Sequence, residues 1–377
     1  MSPQLEIQLI AGMAGAACAL PGVFLVLRKM SMMSDSITHT VLLGIVLGFL
    51  CTQDLSSPLL LLGAAAVGVV TVWLTETLGR TRLLAEDAAI GVVFPLLFSV
   101  AIILITRYAG SVHLDTDSVL LGELAFAPFD RMVAGGADIG AKAIYTTGAL
   151  LLLNLAAIVV FFKELKIAAF DPMLAAVLGF APALVHYGLM TLVSLTAVGA
   201  FQAVGSVLVV AFMIGPPVTA YLLTDDLKRM LVLSALIGAG SGVLGYRAAA
   251  LLDVSIAGCM AVTTGAAFLL VFVFAPRRGL VSALRRRRNQ RIRFAKMTLL
   301  FHLCGREAGR DQWEEAAAVR ARLHWDAAFT ADILARLEKE NCVESANGAF
   351  RLTDRGRSAG ARSYESLLRE QGESQLR

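Results

Sequence analysis

Nine runs of apolar residues follow one another over the first three quarters of this chain, and they constrain its fold more than any other feature. A helix that crosses a membrane needs about 20 mostly apolar residues. The runs occupy residues 5–27, 37–52, 58–79, 88–106, 143–162, 178–199, 203–223, 230–252 and 255–275. They predict an all-α polytopic membrane protein. Because the second run is short and Pro182 interrupts the sixth, eight spans with one re-entrant segment is an alternative to nine.

Charge divides the chain into two unlike parts. Residues 1–276 contain 12 Lys and Arg against 16 Asp and Glu, whereas residues 277–377 contain 21 against 13, so the net charges are −4 and +8. Sparse charge suits a membrane domain, and dense charge suits a domain in water. We therefore predict a transmembrane domain at 1–276, a basic juxtamembrane linker at 277–290 and a small soluble domain at 291–377.

Basic residues between the predicted spans indicate the orientation of the chain. Lys and Arg collect in the cytoplasmic connections of membrane proteins, and here they collect in alternate connections. These residues are Arg28 and Lys29, Arg80 and Arg82, Lys163 and Lys166, and Lys228 and Arg229. The rule places the N-terminus outside and the C-terminus in the cytoplasm. The run Arg285–Arg288 then follows the last span on the inner side, where it suits the anionic headgroups of membrane lipid.

Motifs for enzymatic chemistry are missing from the sequence. A P-loop that cradles phosphates needs the dipeptide Gly-Lys, which does not occur. The stretch at 240–245 has the glycine spacing of a dinucleotide-binding loop, but it lies in an apolar run with no preceding strand, which favours close helix packing by small residues. The five cysteines have no metal-ligand spacing. We therefore predict a transport subunit rather than an enzyme, with no permanently bound cofactor.

Two polar residues around the start of the second run form the best candidate for a cation site. Asp35 and His39 are four residues apart, so on a helix they share one face. A carboxylate and an imidazole at that spacing can both reach one divalent cation, and such a mixed pair suits Mn, Fe or Zn better than Ca or Mg. The alternative is a capping Asp and a surface His at the end of a span.

Other polar residues have weaker patterns. His186, in the interrupted sixth run, is predicted to be a hydrogen-bonded structural histidine rather than a metal ligand. Asp253 is predicted to be a boundary residue at the end of a span. The long connection at 107–142 carries His113 and Glu123, which either shape the outer mouth of the membrane domain or belong to a solvated loop.

The connection at 163–179 is a candidate docking element. It is amphipathic, and Asp171-Pro172 interrupts it with a signal for the start of a helix. A short helix along the inner face would contact a soluble partner. The alternative is a plain connecting loop.

In several of these stretches the sequence resembles the membrane subunit of manganese/zinc/iron-type ABC importers. The resemblance lies in the residues from Gly22 to His39, from Ala89 to Phe98, from His113 to Glu123, at Phe170-Asp-Pro, and from Gln202 to Pro217. It implies that Asp35 and His39 line the cation pathway. A mild departure is Ser36-Ile37-Thr38, where the family commonly has Ala, a variable residue and Ser, and this leaves the Asp–His spacing intact.

The resemblance also implies partners and a location. The segment that contacts the ATPase subunit in such permeases corresponds here to Lys163, Lys166, Phe170, Asp171, Pro172 and Gly179. ATP hydrolysis is then expected on a separate ABC ATPase dimer. A second permease subunit, identical or homologous, and an extracytoplasmic metal-binding protein complete the implied assembly in the cytoplasmic (inner) membrane of a bacterium.

The soluble end has a different pattern. We predict helices at 291–304, from Asp311 through Leu323, and at about 326–340, then strands at 342–344 and 350–352 around the hairpin signal Asn347-Gly348. This is the winged-helix (α+β) order, and the stretches 333–343 and 350–357 resemble metal-dependent repressors of the diphtheria-toxin-repressor type. Base readout usually uses Arg, Lys, Asn or Gln near the start of the recognition helix. Since that helix opens Asp326-Ala-Ala-Phe, we expect a regulatory or interaction domain in the cytoplasm rather than a DNA-binding one.

The sequence therefore predicts a permease subunit of an ATP-driven importer that moves a divalent transition metal (Mn, Zn or Fe) into the cytoplasm. Two alternatives stay open. One is a membrane-anchored winged-helix transcriptional regulator, although nine spans with internal polar residues exceed what a tether needs. The other is an ion-coupled secondary metal transporter, which the lack of a nucleotide motif does not exclude.

Overall fold

The chain divides into two compact units, Met1–Leu280 and Val281–Arg377. The computed structural model describes residues 2–53, 57–81, 83–108, 124–134, 137–306, 313–346 and 348–360. The first unit holds the apolar runs, and the second holds most of the positive charge.

Within the described residues of the first unit, nine helices are long and apolar enough to cross a membrane. They are α1 (Pro3–Leu27), α2 (Ser31–Thr52), α3 (Pro58–Arg80), α4 (Glu86–Tyr108), α5 (Lys142–Val160), α8 (Pro182–Val204), α9 (Ser206–Leu223), α10 (Leu227–Leu252) and α11 (Ile256–Phe274). Nine spans are therefore found, rather than eight with a re-entrant segment.

Pro182 begins a span and does not break one. It occupies the first turn of α8, where its missing N–H leaves no intrahelical hydrogen bond unmade. The sixth span consequently starts later than the apolar run and continues to Val204. Gly205, with φ +83°, then separates α8 from α9.

Short elements fill two of the connections. The strands β1 (Arg131–Ala134) and β2 (Ala137–Ala141) pair as an antiparallel hairpin between α4 and α5. The helices α6 (Phe162–Phe170) and α7 (Pro172–Val177) join α5 to α8. His113 and Glu123, in the long connection before the hairpin, lie outside the described residues.

Helix α1 is the centre of the first unit. Its residues from Ala14 to Leu25 are all buried, and it packs against α5, α8, α9 and α10. Small residues make this possible because a side chain at the crossing would hold the backbones apart. A Cβ added to Gly242 of α10 would lie 2.8 Å from the carbonyl oxygen of Ala11. The prediction that the glycines at 240–245 serve helix packing is therefore confirmed for Gly242.

In its described residues, the second unit contains three longer helices, a small sheet and a further helical stretch at 354–360. Its elements are α12 (Leu280–Arg306), β3 (Glu314–Glu315), α13 (Ala316–Leu323), α14 (Ala327–Lys339), β4 (Val343–Ala346) and β5 (Ala349–Leu352). The strands form an antiparallel sheet in the order β3-β5-β4. Leu299, Val319, Ile333 and Leu352 belong to its core.

Most secondary-structure elements of this unit lie where the sequence predicts them. The predicted hairpin is confirmed, with Ala346 opposite Ala349. The first helix is longer than predicted, since it begins at Leu280 and includes the basic run Arg285–Arg288. The strand β3 had no signal in the sequence because it is only two residues long. Asp311, the predicted cap of the second helix, lies outside the described residues.

We predict that Gly242→Val lowers stability whereas Gly240→Val in the same helix does not. The added side chain at position 242 meets the α1 backbone, and such overpacking costs about 1–3 kcal/mol. A Cβ at Gly240 would meet nothing within 4 Å. The thermal unfolding midpoint of the detergent-purified protein measures the difference, and equal midpoints for the two variants would contradict the packing argument.

Candidate functional site

The predicted cation ligands lie side by side in the first turns of α2. His39 Nε2 is 3.5 Å from Asp35 Oδ1, and the two side chains are 26% and 42% exposed in the single chain. The helical spacing deduced from the sequence is thus realised. One carboxylate oxygen and one ring nitrogen therefore lie together on one helix of the membrane unit.

Aromatic rings from α4 border the imidazole. The His39 ring lies 5.1 Å from that of Phe94 and 6.1 Å from that of Phe98, centroid to centroid. Apolar rings beside an imidazole reduce its access to water and strengthen its electrostatic interaction with a cation. The ring face of an aromatic side chain also attracts positive charge.

The opposite face of α2 is polar and buried. Thr40 accepts a 2.8 Å hydrogen bond from Thr71 of α3, and the Ser34 hydroxyl contacts the Met213 sulfur of α9 at 3.0 Å. These hydroxyls satisfy their hydrogen-bonding capacity inside the protein, as the interior of a membrane requires. They attach α2 to its neighbours and leave Asp35 and His39 on the side toward α4.

A second polar cluster, which the sequence did not single out, joins α3 to α8. Glu76 of α3 contacts His186 Nε2 through Oε1 and accepts a 3.1 Å hydrogen bond from the Tyr187 hydroxyl through Oε2. Arg80, one turn further along α3, lies 3.7 Å from the same Oε2. Of these, His186 had been predicted to be hydrogen bonded. A lone acidic residue within an apolar run is the signal that indicates such a site, and Glu76 has it.

Arg28 contributes positive charge to the same end of the unit. It follows α1 directly, at the turn into α2. Burial lowers the pKa of its guanidinium, and the negative charge of Glu76 opposes that effect. Arg28 and Glu76 therefore interact electrostatically. We call the end where α1, α3, α5 and α9 terminate the basic end.

The predicted docking segment is helical and presents an apolar surface. Leu165 and Ala168 of α6 are buried and anchor it, whereas Phe170, Met173 and Val177 are 62%, 82% and 84% exposed. Exposed apolar groups of this size mark contact surfaces more often than solvent-facing ones. The segment lies at the basic end, between α5 and α8.

Local chemistry explains the sharp corner between α6 and α7. The Asp171 side chain accepts a 2.9 Å hydrogen bond from the Leu174 backbone N–H and so caps α7, while Pro172 occupies its first turn. Gly179, with φ +84°, ends the segment in a conformation that favours glycine. Lys163 and Lys166 lie on α6, so the predicted residues are contiguous in the structure.

The β1–β2 hairpin lies at the opposite end of the unit. Arg131 of β1 lies 3.7 Å from the buried carboxylate of Glu6 in the first turn of α1. This ion pair attaches the hairpin to the central helix of the unit.

No larger metal cluster is present in the part of the chain that the structure describes. No three His, Cys, Asp or Glu side chains there form a group able to hold a metal ion. Asp35 and His39 form one pair, and Glu76 and His186 form another. Among the described residues, the donor sets are therefore pairs, which bind a cation more weakly than the three or four protein ligands of a resident metal.

A comparison with protein-family models decides the family. The model for the ABC 3 transport family matches residues 5–275, which is most of the chain and includes every span. The chain belongs to the ABC 3 transport family. This membership makes it a permease, a transport component that carries no catalytic motif for ATP hydrolysis in its own sequence.

Characterised relatives of this ABC 3 permease agree with the assignment. It is 48% identical over 270 residues to the manganese transport system membrane protein MntD of Bacillus subtilis, which covers 72% of this chain and 91% of the relative. It is 43% identical over 354 residues to the zinc transport system membrane protein TroD of Treponema pallidum, covering 93% and 96%. The second similarity extends beyond the membrane unit into the C-terminal one.

A solved structure shares the fold. PsaBC from Streptococcus pneumoniae in complex with Fab contains a chain that superposes on this permease with a TM-score of 0.62 at 30% identity. The superposition covers 74% of this chain and 94% of that one. The predicted architecture of a polytopic ABC permease is thereby confirmed for the membrane unit.

We predict that Asp171→Ala loosens α7 whereas Asp171→Asn retains it. Loss of a capping side chain costs about 1 kcal/mol, equivalent to roughly fivefold faster local amide exchange, and Asn caps as well as Asp. Hydrogen–deuterium exchange of the peptides that contain residues 172–178 measures the effect. Similar exchange in both variants would show that the Asp171–Leu174 hydrogen bond does not hold the corner.

Proposed function

We propose that this ABC 3 permease moves a divalent transition metal, Mn, Zn or Fe, into the cytoplasm in an ATP-driven importer. The observation that carries the proposal is the Asp35–His39 pair, whose oxygen and nitrogen donors lie 3.5 Å apart within a span. A charged side chain in a membrane is expensive and marks the path of an ion by default. The names of the manganese and zinc transport relatives support the cargo class.

A pair of donors suits transport better than storage. With two protein ligands, the cation keeps part of its water shell and leaves readily, whereas three or four ligands would hold it. The carboxylate and imidazole together favour Mn, Fe or Zn over Ca or Mg. Asp35 supplies the negative charge that attracts the cation, and His39 supplies a nitrogen ligand.

The exposure of the pair fits a pathway shared by two subunits. In the single chain the Asp35 carboxylate is 42% exposed, although it lies in a membrane span. We infer that a second permease subunit, identical or homologous, covers it, so that the pathway runs between the subunits. An extracytoplasmic metal-binding protein would release the cation at the end that carries the hairpin.

The basic end is proposed to face the cytoplasm. Its connections carry Arg28, Arg80, Lys163 and Lys228, as the positive-inside rule expects. The apolar surface of Phe170, Met173 and Val177 would then contact the ATPase dimer. When ATP binds, movement of that surface would be transmitted to α5 and α8, which the segment joins. This would open the pathway to one side of the membrane and then to the other.

The C-terminal unit is proposed to be a winged-helix module that regulates transport. Its order of helices followed by the β4–β5 hairpin supports this interpretation. The helix α14 opens with Ala327, Ala328 and Phe329, so its start offers no side chain that hydrogen-bonds to bases. The membrane, through the anionic headgroups near Arg285–Arg288, is a more suitable partner than DNA.

We predict that Asp35→Ala and His39→Ala each abolish metal uptake while membrane insertion stays intact. Either change leaves a single donor for the cation. Uptake of radioactive Mn or Zn by cells that express the permease with its partners measures the effect, and Asp253→Asn serves as the control because that residue ends α10. Undiminished uptake in the two variants would falsify the pathway assignment.

We predict that deletion of residues 290–377 reduces uptake but leaves part of it. The membrane unit contains the spans, the Asp35–His39 pair and the docking segment, so the transport pathway stays complete. The same uptake assay, normalised to the amount of protein in the membrane, tests this. Complete loss at normal protein levels would make the C-terminal unit part of the transport machinery.

A further inference from the structure

In the histidine of the second polar cluster, one ring nitrogen contacts a carboxylate and the other has no partner. His186 is 7% exposed, and its Nε2 contacts the Glu76 carboxylate. Its Nδ1 is buried and makes no hydrogen bond within the described residues. A buried nitrogen without a partner costs about 1–3 kcal/mol. A structural histidine would be expected to satisfy both nitrogens, so the unsatisfied one needs an explanation.

The contact with Glu76 determines which nitrogen is available. An ionised carboxylate only accepts hydrogen bonds, so the shared proton lies on Nε2. In the neutral ring, Nδ1 then carries a free lone pair. Histidines that bind metals almost always donate their other ring N–H to a carboxylate or carbonyl, which orients the ring and makes the ligating nitrogen more basic. Glu76 and His186 have that arrangement before any metal arrives.

Glu76 is held in place by further contacts. The Tyr187 hydroxyl donates to Oε2 while His186 occupies Oε1, and Arg80 stands 3.7 Å from Oε2. Both carboxylate oxygens are therefore engaged, and the carboxylate cannot rotate away from the ring. This makes Glu76 a positioning residue for His186.

The cluster lies at the depth of Asp35 in the membrane unit. Thr40 and Thr71 are hydrogen bonded across the antiparallel helices α2 and α3. Asp35 precedes Thr40 by five residues, and Glu76 follows Thr71 by five. At about 1.5 Å per residue, each lies about 7.5 Å along its helix from the Thr40–Thr71 hydrogen bond, and both lie on the side of the basic end.

The contacts of helix α8 place His186 at the same depth as Asp35 and Glu76. The Ser194 hydroxyl donates to the Ala65 carbonyl, and a Cβ on Gly68 would touch the Ser194 side chain, so this part of α8 adjoins α3. His186 precedes Ser194 by eight residues and Glu76 follows Gly68 by eight, which is about 12 Å on each helix toward the basic end. Asp35, Glu76 and His186 are therefore at one depth on three helices that pack together.

We propose that His186 Nδ1 is a further ligand for the transported cation, with Glu76 as the residue that positions it. This rests on the proposed function and extends it. The cation moves from His39 to the depth shared by Asp35 and His186, where His186 becomes its ligand before it continues toward the basic end. Each step exchanges one protein ligand for another. The number of protein ligands therefore stays small, and the cation can dissociate.

His186→Gln is the discriminating variant. The glutamine amide replaces Nε2–H as the donor to Glu76 and removes Nδ1 alone. We expect Mn²⁺ uptake in cells to fall at least tenfold at normal protein levels. Thr191→Val, on the same helix, is the control: its exposed hydroxyl donates to the backbone carbonyl of Tyr187 and contacts neither Glu76 nor His186, and its uptake should stay within twofold of wild type.

Pulsed electron paramagnetic resonance of the purified full chain with bound Mn²⁺ provides the second measurement. Coupling to imidazole nitrogen should persist in His39→Ala and vanish when His186→Gln is added. Glu76→Gln should retain the coupling at an altered strength, which a merely structural role for Glu76 would not produce. This measurement depends on Mn²⁺ binding and not on transport. It therefore applies to variants that transport poorly, and it applies even if the wild type transports no Mn²⁺.

The outcomes separate the two proposals. Wild-type uptake by His186→Gln, with Asp35→Ala inactive, overturns the role of His186 and leaves the proposed function standing. Loss of nitrogen coupling in His39→Ala alone also overturns it. Absence of Mn²⁺, Zn²⁺ and Fe²⁺ uptake by the wild type overturns the proposed function, and the coupling then decides separately whether His186 binds the cation.

Discussion

The high cost of an unsatisfied polar group inside a membrane determines this structure. Backbone groups avoid that cost by forming helices, and side chains avoid it by pairing. Thr40 therefore bonds to Thr71, Asn154 donates to the Ala17 carbonyl, and Glu6 pairs with Arg131. Pairing stays incomplete at Asp35 and at His186 Nδ1, and these are the groups that we propose to bind the cation.

The fold also requires small residues where helices cross, so that the helices pack closely. The hydrophobic effect, which stabilises the cores of soluble proteins, is weak between helices in lipid. Close packing of the helix backbones therefore has to supply stability. Glycines at the crossing of α1 with α10 allow that contact, and a Cβ on Gly242 would fill the space. This packing places α1 at the centre and leaves α2, with Asp35 and His39, toward α4.

Much of the fold was predictable from the sequence, and the reason is physical. Length and hydropathy specify a spanning helix because the bilayer leaves few alternatives, so nine candidate spans were predicted with errors at their ends, and only the choice between eight and nine stayed open. The error at Pro182 arose because proline interrupts a helix but also starts one. The tail hairpin was predicted from Asn347-Gly348, whereas β3 was missed because two residues carry no periodicity.

The candidate site was predictable only in part. Asp35 and His39 are four residues apart on one helix, so their proximity follows from helical geometry alone. Glu76 and His186 are 110 residues apart in the chain and meet because α3 packs against α8. Their contact depends on which helices are neighbours, and apolar spans of similar composition do not encode that order locally.

The sequence by itself determined the membrane class, the candidate spans, the polar pair on α2 and the amphipathic segment between α5 and α8, since each follows from residues close together in the chain. The tertiary structure alone decided which polar groups find partners. It leaves one nitrogen of His186 unsatisfied beside a carboxylate that is already occupied. The physical reason is that pairing inside a membrane is a property of helix neighbours, and helix neighbours are set by packing over the whole unit.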